Sequence, residues 1–122
     1  MVKPGDIRIK DTEVTRGLME RNFSPLLIQI IIEVAKKYGI VITESYREQR
    51  HSGDLHSTNP VRAIDIREWC YPEWQAKVIL NFINQTWEYD PKRPEMKVAI
   101  LHKVKNGAWH FHVQVHPGTR RK

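Results

Sequence analysis

Cysteine is almost missing from this chain: Cys70 stands alone among 122 residues. No disulfide within the chain can staple the fold, and the composition suits a reducing compartment. Long apolar runs are missing as well. The longest, beginning at Leu26, is interrupted by Gln29 and Glu33, well short of the roughly 18 residues that a membrane-spanning helix requires. The opening Met1-Val2-Lys3-Pro4-Gly5-Asp6 leads into mixed charge instead of an apolar segment, so no secretory signal is read and the chain is expected to be cytoplasmic as synthesised. Repeats, low-complexity stretches and Pro/Gly-rich linkers are absent too. The expectation is one domain over residues 1–122, with enough length for one core and too little for two.

Acidic side chains are the scarcer charge, 14 Asp+Glu against 20 Lys+Arg, for a formal net charge of +6. Arg120, Arg121 and Lys122 carry half of that excess; elsewhere the signs interleave, as in Lys10-Asp11-Thr12-Glu13. No basic stripe with interleaved aromatics is seen, so the excess reads as a solvated surface with a frayed basic tail, and no specific nucleic-acid partner is expected.

What is present begins with a helix. Ser24 is suited to cap it, Pro25 fits its first turn, and the apolar run from Leu26 to Tyr38 stops at Gly39, which predicts a core helix buried on most of its surface. The β-branched Ile40-Val41-Ile42-Thr43 then predicts a strand, and Tyr46 to Pro60 a long polar loop of the kind that carries function. Val61 to Ile66 predicts a second strand, with Ala63 and Asp65 on one face and Arg62, Ile64 and Ile66 on the other. A second helix is expected from about Pro72 to Trp87, with Trp74, Val78, Phe82 and Ile83 near helical spacing. Met96 to Val104 and Ala108 to Val115 read as two strands joined by a hairpin at Lys105-Asn106-Gly107. In the last strand His110, His112 and Gln114 share one face, and Trp109, Phe111, Val113 and Val115 the other. The fold class expected is α+β: a mostly antiparallel sheet with two main helices on one side and polar residues gathered on the other.

Six histidines, at 51, 56, 102, 110, 112 and 116, are many for this length. An ionised Asp65 between Ile64 and Ile66 is costly to bury without a partner. Two histidines and one carboxylate with an open position form a catalytic zinc arrangement; pairing of Asp65 with Arg47 or Arg62, the histidines being ordinary surface residues, explains the same pattern. His102 reads as a structural histidine, His116 as surface, and His51 as a loop residue with Asp54 nearby. Trp69, Trp74, Trp87 and Trp109 read as core or helix-packing residues.

The order Ile42-Thr43-Glu44-Ser45-Tyr46-Arg47, then His56, then Arg62-Ala63-Ile64-Asp65-Ile66, then Trp109-His110-Phe111-His112 resembles the zinc peptidases that cut D-alanyl peptides of bacterial cell walls. That family includes D-alanyl-D-alanine carboxypeptidases and phage L-alanyl-D-glutamate endopeptidases (endolysins), and shares its core with the hedgehog signalling domain. The resemblance spans roughly residues 25 to 116, although His56 and Asp65 are spaced more widely than in the family and Asn59-Pro60-Val61 replaces its glycine region. It implies a hedgehog-like fold, a Zn2+ cofactor, and a peptidoglycan peptide as substrate. It further implies that His56, Asp65 and His112 are the metal ligands, that His110 transfers a proton and that Arg47 stabilises an oxyanion. A second alignment makes His110 the ligand in place of His112. Two other functions fit the same residues: a non-catalytic zinc module that holds a peptide or glycan, and a small basic nucleic-acid-binding domain.

Overall fold

The computed structural model describes residues 2–103 and 108–122, so the hairpin turn expected at Lys105-Asn106-Gly107 lies outside the described residues. The elements in chain order are β1 (Ile7–Ile9), α1 (Thr12–Glu20), α2 (Pro25–Tyr38), β2 (Ile40–Glu44), β3 (Ala63–Arg67), α3 (Glu73–Thr86), β4 (Trp87–Glu88), β5 (Ala99–Lys103), β6 (Trp109–Gln114) and β7 (Arg120–Arg121). Five strands form one sheet in the order β1-β2-β3-β6-β5, and β4 pairs with β7 in a separate ribbon. Only β1 and β2 run parallel; every other neighbouring pair is antiparallel. The architecture is thus α+β with a mixed, mostly antiparallel sheet. None of the described helices is long and apolar enough to cross a membrane.

Local chemistry accounts for the elements that hold the core. Ser24 accepts from the Leu27 N–H, Pro25 occupies the first turn, and Gly39 closes α2 at φ 73°, a conformation open to glycine. A side chain at Gly39 would also strike the Lys3 carbonyl oxygen. Leu27, Ile30, Ile31, Val34 and Ala35 of α2 pack with Ile64, Ile66, Phe111 and Val113 of the sheet and with Ala76, Ile79 and Ile83 of α3. Tyr71 fastens this layer by donating its hydroxyl hydrogen to the Gly39 carbonyl.

Several expectations are corrected here. Among the described residues there are three α-helices, not two. The additional α1 is capped by Asp11, which accepts from the Val14 N–H; its short amphipathic segment follows the equally unforeseen β1, which is fixed by pairing to β2 rather than by its own pattern. Burial on α2 is one-sided, since Ile32 faces outward. The buried face of α3 is Ala76, Ile79 and Ile83, leaving Trp74 67% exposed. Trp69 and Trp109 are exposed at 61% and 44%, and only Trp87 of the four tryptophans is buried; strand and helix ends leave room for solvent that periodicity does not register. The strand expected from Met96 starts at Ala99, because Val98 turns inward ahead of it. The basic tail is not frayed. Arg120 and Arg121 pair with β4, Arg120 reaches Glu88 at 3.0 Å, and Arg121 reaches Glu33 at 2.8 Å while covering the Trp87 ring.

Candidate metal centre

Strand register brings the histidine face together. Asp65 stands opposite His112, Arg67 opposite His110 and Ala63 opposite Gln114. On the far side of β6, His102 stands opposite His110 and Ile100 opposite His112. Between β2 and β3 the register shifts at the segment Ile42 to Glu44, a bulge of the kind that redirects a strand next to functional groups. His56 arrives from the polar loop on a single 3-10 turn, Leu55–Ser57. The Leu55 carbonyl accepts from the Arg62 N–H at 3.0 Å, so the loop closes on itself and its extra residues project away while His56 meets Asp65.

Asp54 holds that turn. Its carboxylate accepts from Arg47 Nε and Nη2 at 3.1 and 3.2 Å, from the Arg50 N–H at 3.1 Å and from the His56 N–H at 3.1 Å. Burial works against its charge, but these donors and the Arg47 cation bring its pKa down from 3.8 to about 2. Arg47 also lies 3.8 Å from Glu44. Pairing of Asp65 with Arg47 or Arg62 is therefore not seen among the described residues; its carboxylate faces histidines instead.

Asp65 Oδ1 lies 3.1 Å from His56 Nε2 and 3.0 Å from His112 Nδ1. The remote nitrogens of both rings are committed as donors. His56 Nδ1 faces the Ser45 carbonyl at 2.8 Å, which can only accept, so that nitrogen carries the hydrogen. Gln114 donates its amide N–H to the Lys97 carbonyl at 2.8 Å, which turns Oε1 toward His112 Nε2 at 3.1 Å. That nitrogen donates too. In their neutral forms both rings therefore aim a lone pair at the same carboxylate oxygen.

Protons or a single cation can resolve this conflict. Protonating both rings places two positive charges at ring centroids 5.3 Å apart, whose mutual repulsion of about 3 kcal/mol at an effective dielectric constant of 20 is offset by the attraction of each to the Asp65 carboxylate. One divalent ion satisfies both lone pairs and the carboxylate at a single centre. Two donors at about 2.0–2.1 Å from a tetrahedral zinc are about 3.3 Å apart; the contacts at Oδ1, 3.1 and 3.0 Å, are slightly shorter and also have the length of hydrogen bonds. His56, Asp65 and His112 are close enough to hold a metal ion, each offering one atom within 4.8 Å of the others, and the acceptors behind the two rings provide the outer support that metal-ligating histidines require.

His110 sits on the other side of the carboxylate. Its Nε2 is 3.2 Å from Asp65 Oδ2, yet the two are not aligned for a hydrogen bond and the nitrogen has no partner. Burial opposes the charge on Asp65, but where the facing nitrogens of the neighbouring histidines carry hydrogens they hold its carboxyl well below the usual carboxylate range. A cavity of about 660 Å³ opens beside His112, lined also by Arg47, His51, His102, Arg93 and His116. A smaller one of about 190 Å³ is lined by Arg47, Asp65 and His110, with Trp69 and Trp109 at its rim.

The structure thus brings His56, Asp65, His112 and His110 together and puts Arg47 in the walls of both cavities. It also adds a residue that sequence reasoning set aside. His102 is exposed, with its ring 4.0 Å from that of His110 and 5.6 Å from that of His112. The pairing of β5 with β6 sets His102 opposite His110, a strand register that the residue pattern did not fix. Asp54, Ser45 and Gln114 stand behind His56 and His112 and carried no motif of their own. No protein-family model, curated protein or solved structure matches this chain.

Proposed function

We propose that the protein is a zinc-dependent peptidase that cleaves peptides of the bacterial cell wall, with His56, Asp65 and His112 as ligands. The observation that carries the metal reading is the pair of lone pairs fixed on one oxygen of Asp65 by Ser45 and Gln114. The substrate class is supported by the order of motifs from Ser45-Tyr46-Arg47 to His110-Phe111-His112, which resembles that peptidase family. Zinc held by these residues would lower the pKa of a bound water from about 15.7 toward 7 and would polarise a peptide carbonyl.

The chain's own residues supply the rest. His112 lines the larger cavity, Asp65 and His110 line the smaller one, and Arg47 lines both, so a peptide reaching the site would have Arg47 beside it from either side. His110, whose buried Nε2 has no hydrogen-bond partner among the described residues, takes a proton and returns it to the leaving amine, a role that contributes roughly 10²–10⁴-fold. Arg47 supplies positive charge for the developing oxyanion; loss of one such donor typically costs about 2.7–4 kcal/mol in the transition state. Through Asp54, Arg47 also positions His56.

The test combines metal content with cleavage of purified muropeptides. After zinc loading and gel filtration, the wild type should retain one tightly held zinc, Asp65→Asn none, and His110→Ala one zinc with most cleavage lost. A wild type without metal overturns the proposal. A zinc-loaded wild type that cleaves no cell-wall peptide replaces it with a non-catalytic zinc module.

A further inference from the structure

Asp65 has two oxygens, and the ligand set above uses one. Oδ1 serves His56 and His112, whereas Oδ2 has His110 Nε2 at 3.2 Å. That nitrogen belongs to a side chain only 8% exposed and lacks a hydrogen-bond partner. Across the strand pair, His102 sets its ring 4.0 Å from the His110 ring. One donor atom from each of Asp65, His102 and His110 lies within 4.8 Å of the others. The separation between Oδ2 and Nε2 is close to one edge of a tetrahedral site, about 3.3 Å.

We propose that Asp65 Oδ2, His102 and His110 form a second site for a divalent transition-metal ion, so that the Asp65 carboxylate bridges two ions. The proposal rests on the first ion's being held by His56, Asp65 and His112. Imidazole and carboxylate donors suit zinc and its neighbours in the first transition row. The second site is the weaker of the two, for two reasons. His56 and His112 have their remote nitrogens fixed by acceptors, a support typically worth about 10–100-fold in affinity, whereas exposed His102 shows no such acceptor among the described residues. One carboxylate charge is also shared between two dications. Occupancy of the second site takes the His110 nitrogen that proton transfer requires, which makes excess metal an inhibitor.

The experiment is a titration of the metal-free full chain with Co2+, with bound metal measured by equilibrium dialysis and elemental analysis and the cobalt spectrum followed in parallel. The wild type should take two equivalents, the second at least about tenfold more weakly. His102→Ala and the conservative His102→Gln should take only the tight equivalent, with an unchanged far-ultraviolet spectrum; His56→Ala should lose the tight one. A wild type that saturates at one equivalent, removed by His56→Ala, overturns the second site and leaves the first. Two equivalents in His102→Ala overturn the donor set. One equivalent lost in His102→Ala but kept in His56→Ala, or no binding at all, overturns both sites.

Discussion

The two faces of β3 and β6 are built from alternate residues of the same strands and obey different rules. On one, Ile64, Ile66, Phe111 and Val113 are sealed against α2 and α3. On the other, Asp65, His110 and Gln114 are nearly as well buried, at 4%, 6% and 6% exposed. The apolar face is held by area removed from water, which has no direction and tolerates exchange of similar volumes. The histidine face is held by directed contacts, and the state of each group depends on what stands behind it. Ser45 lies one residue past β2 and still sets the tautomer of His56. Residues that do not touch Asp65 therefore matter on the second face, whereas on the first only filled volume counts.

The largest expected effect breaks the apolar face. Phe111→Ala removes a fully buried ring that packs near Tyr71 and should lower unfolding stability by about 3–5 kcal/mol in urea titrations of the metal-free protein. A loss below about 1 kcal/mol would show that this face is not the core. Next in size, Gln114→Ala removes the acceptor that holds His112 Nε2. Zinc affinity by competition with a chromophoric chelator should fall about 10–100-fold. Undiminished affinity would mean that the tautomer is not set from behind.

The smallest effect concerns Asp54, whose pKa of about 2 lies below its ordinary 3.8. A depressed carboxylate contributes stability above its unfolded pKa and loses it as pH falls through the folded one. Wild type should exceed Asp54→Asn by about 1–2 kcal/mol near neutral pH, a figure reduced for solvent screening. The gap should close between about pH 5 and pH 2. A gap independent of pH would assign the difference to shape rather than charge.

Legibility in the sequence followed the range of the forces involved. Capping by Ser24 and termination at Gly39 were readable because both depend on neighbours within a turn. So was the alternation that put His110, His112 and Gln114 on one face. Helix α1 was missed, although it matters to the site: Ser45 donates to the Val14 carbonyl at 2.9 Å, and a side chain at Gly17 would strike the Ser45 hydroxyl. A short segment with few apolar residues gains its helical state from that docking, not from propensity.

By itself, the sequence determined the α+β class, the capped helix and the alternating strand faces, since these follow from local conformation; the candidacy of His56, Asp65, His110 and His112 came from the resemblance of their motif order to a peptidase family. Tertiary structure decided that His102 joins them, that Arg47 is engaged by Asp54, that three tryptophans are exposed and that the C-terminal arginines are pinned. It also decided which nitrogen of each histidine is free. Those outcomes depend on strand register and on acceptors distant in the chain, Ser45 for His56 and the Lys97 carbonyl acting through Gln114 for His112, and no local pattern encodes a partner that only folding brings within hydrogen-bond reach.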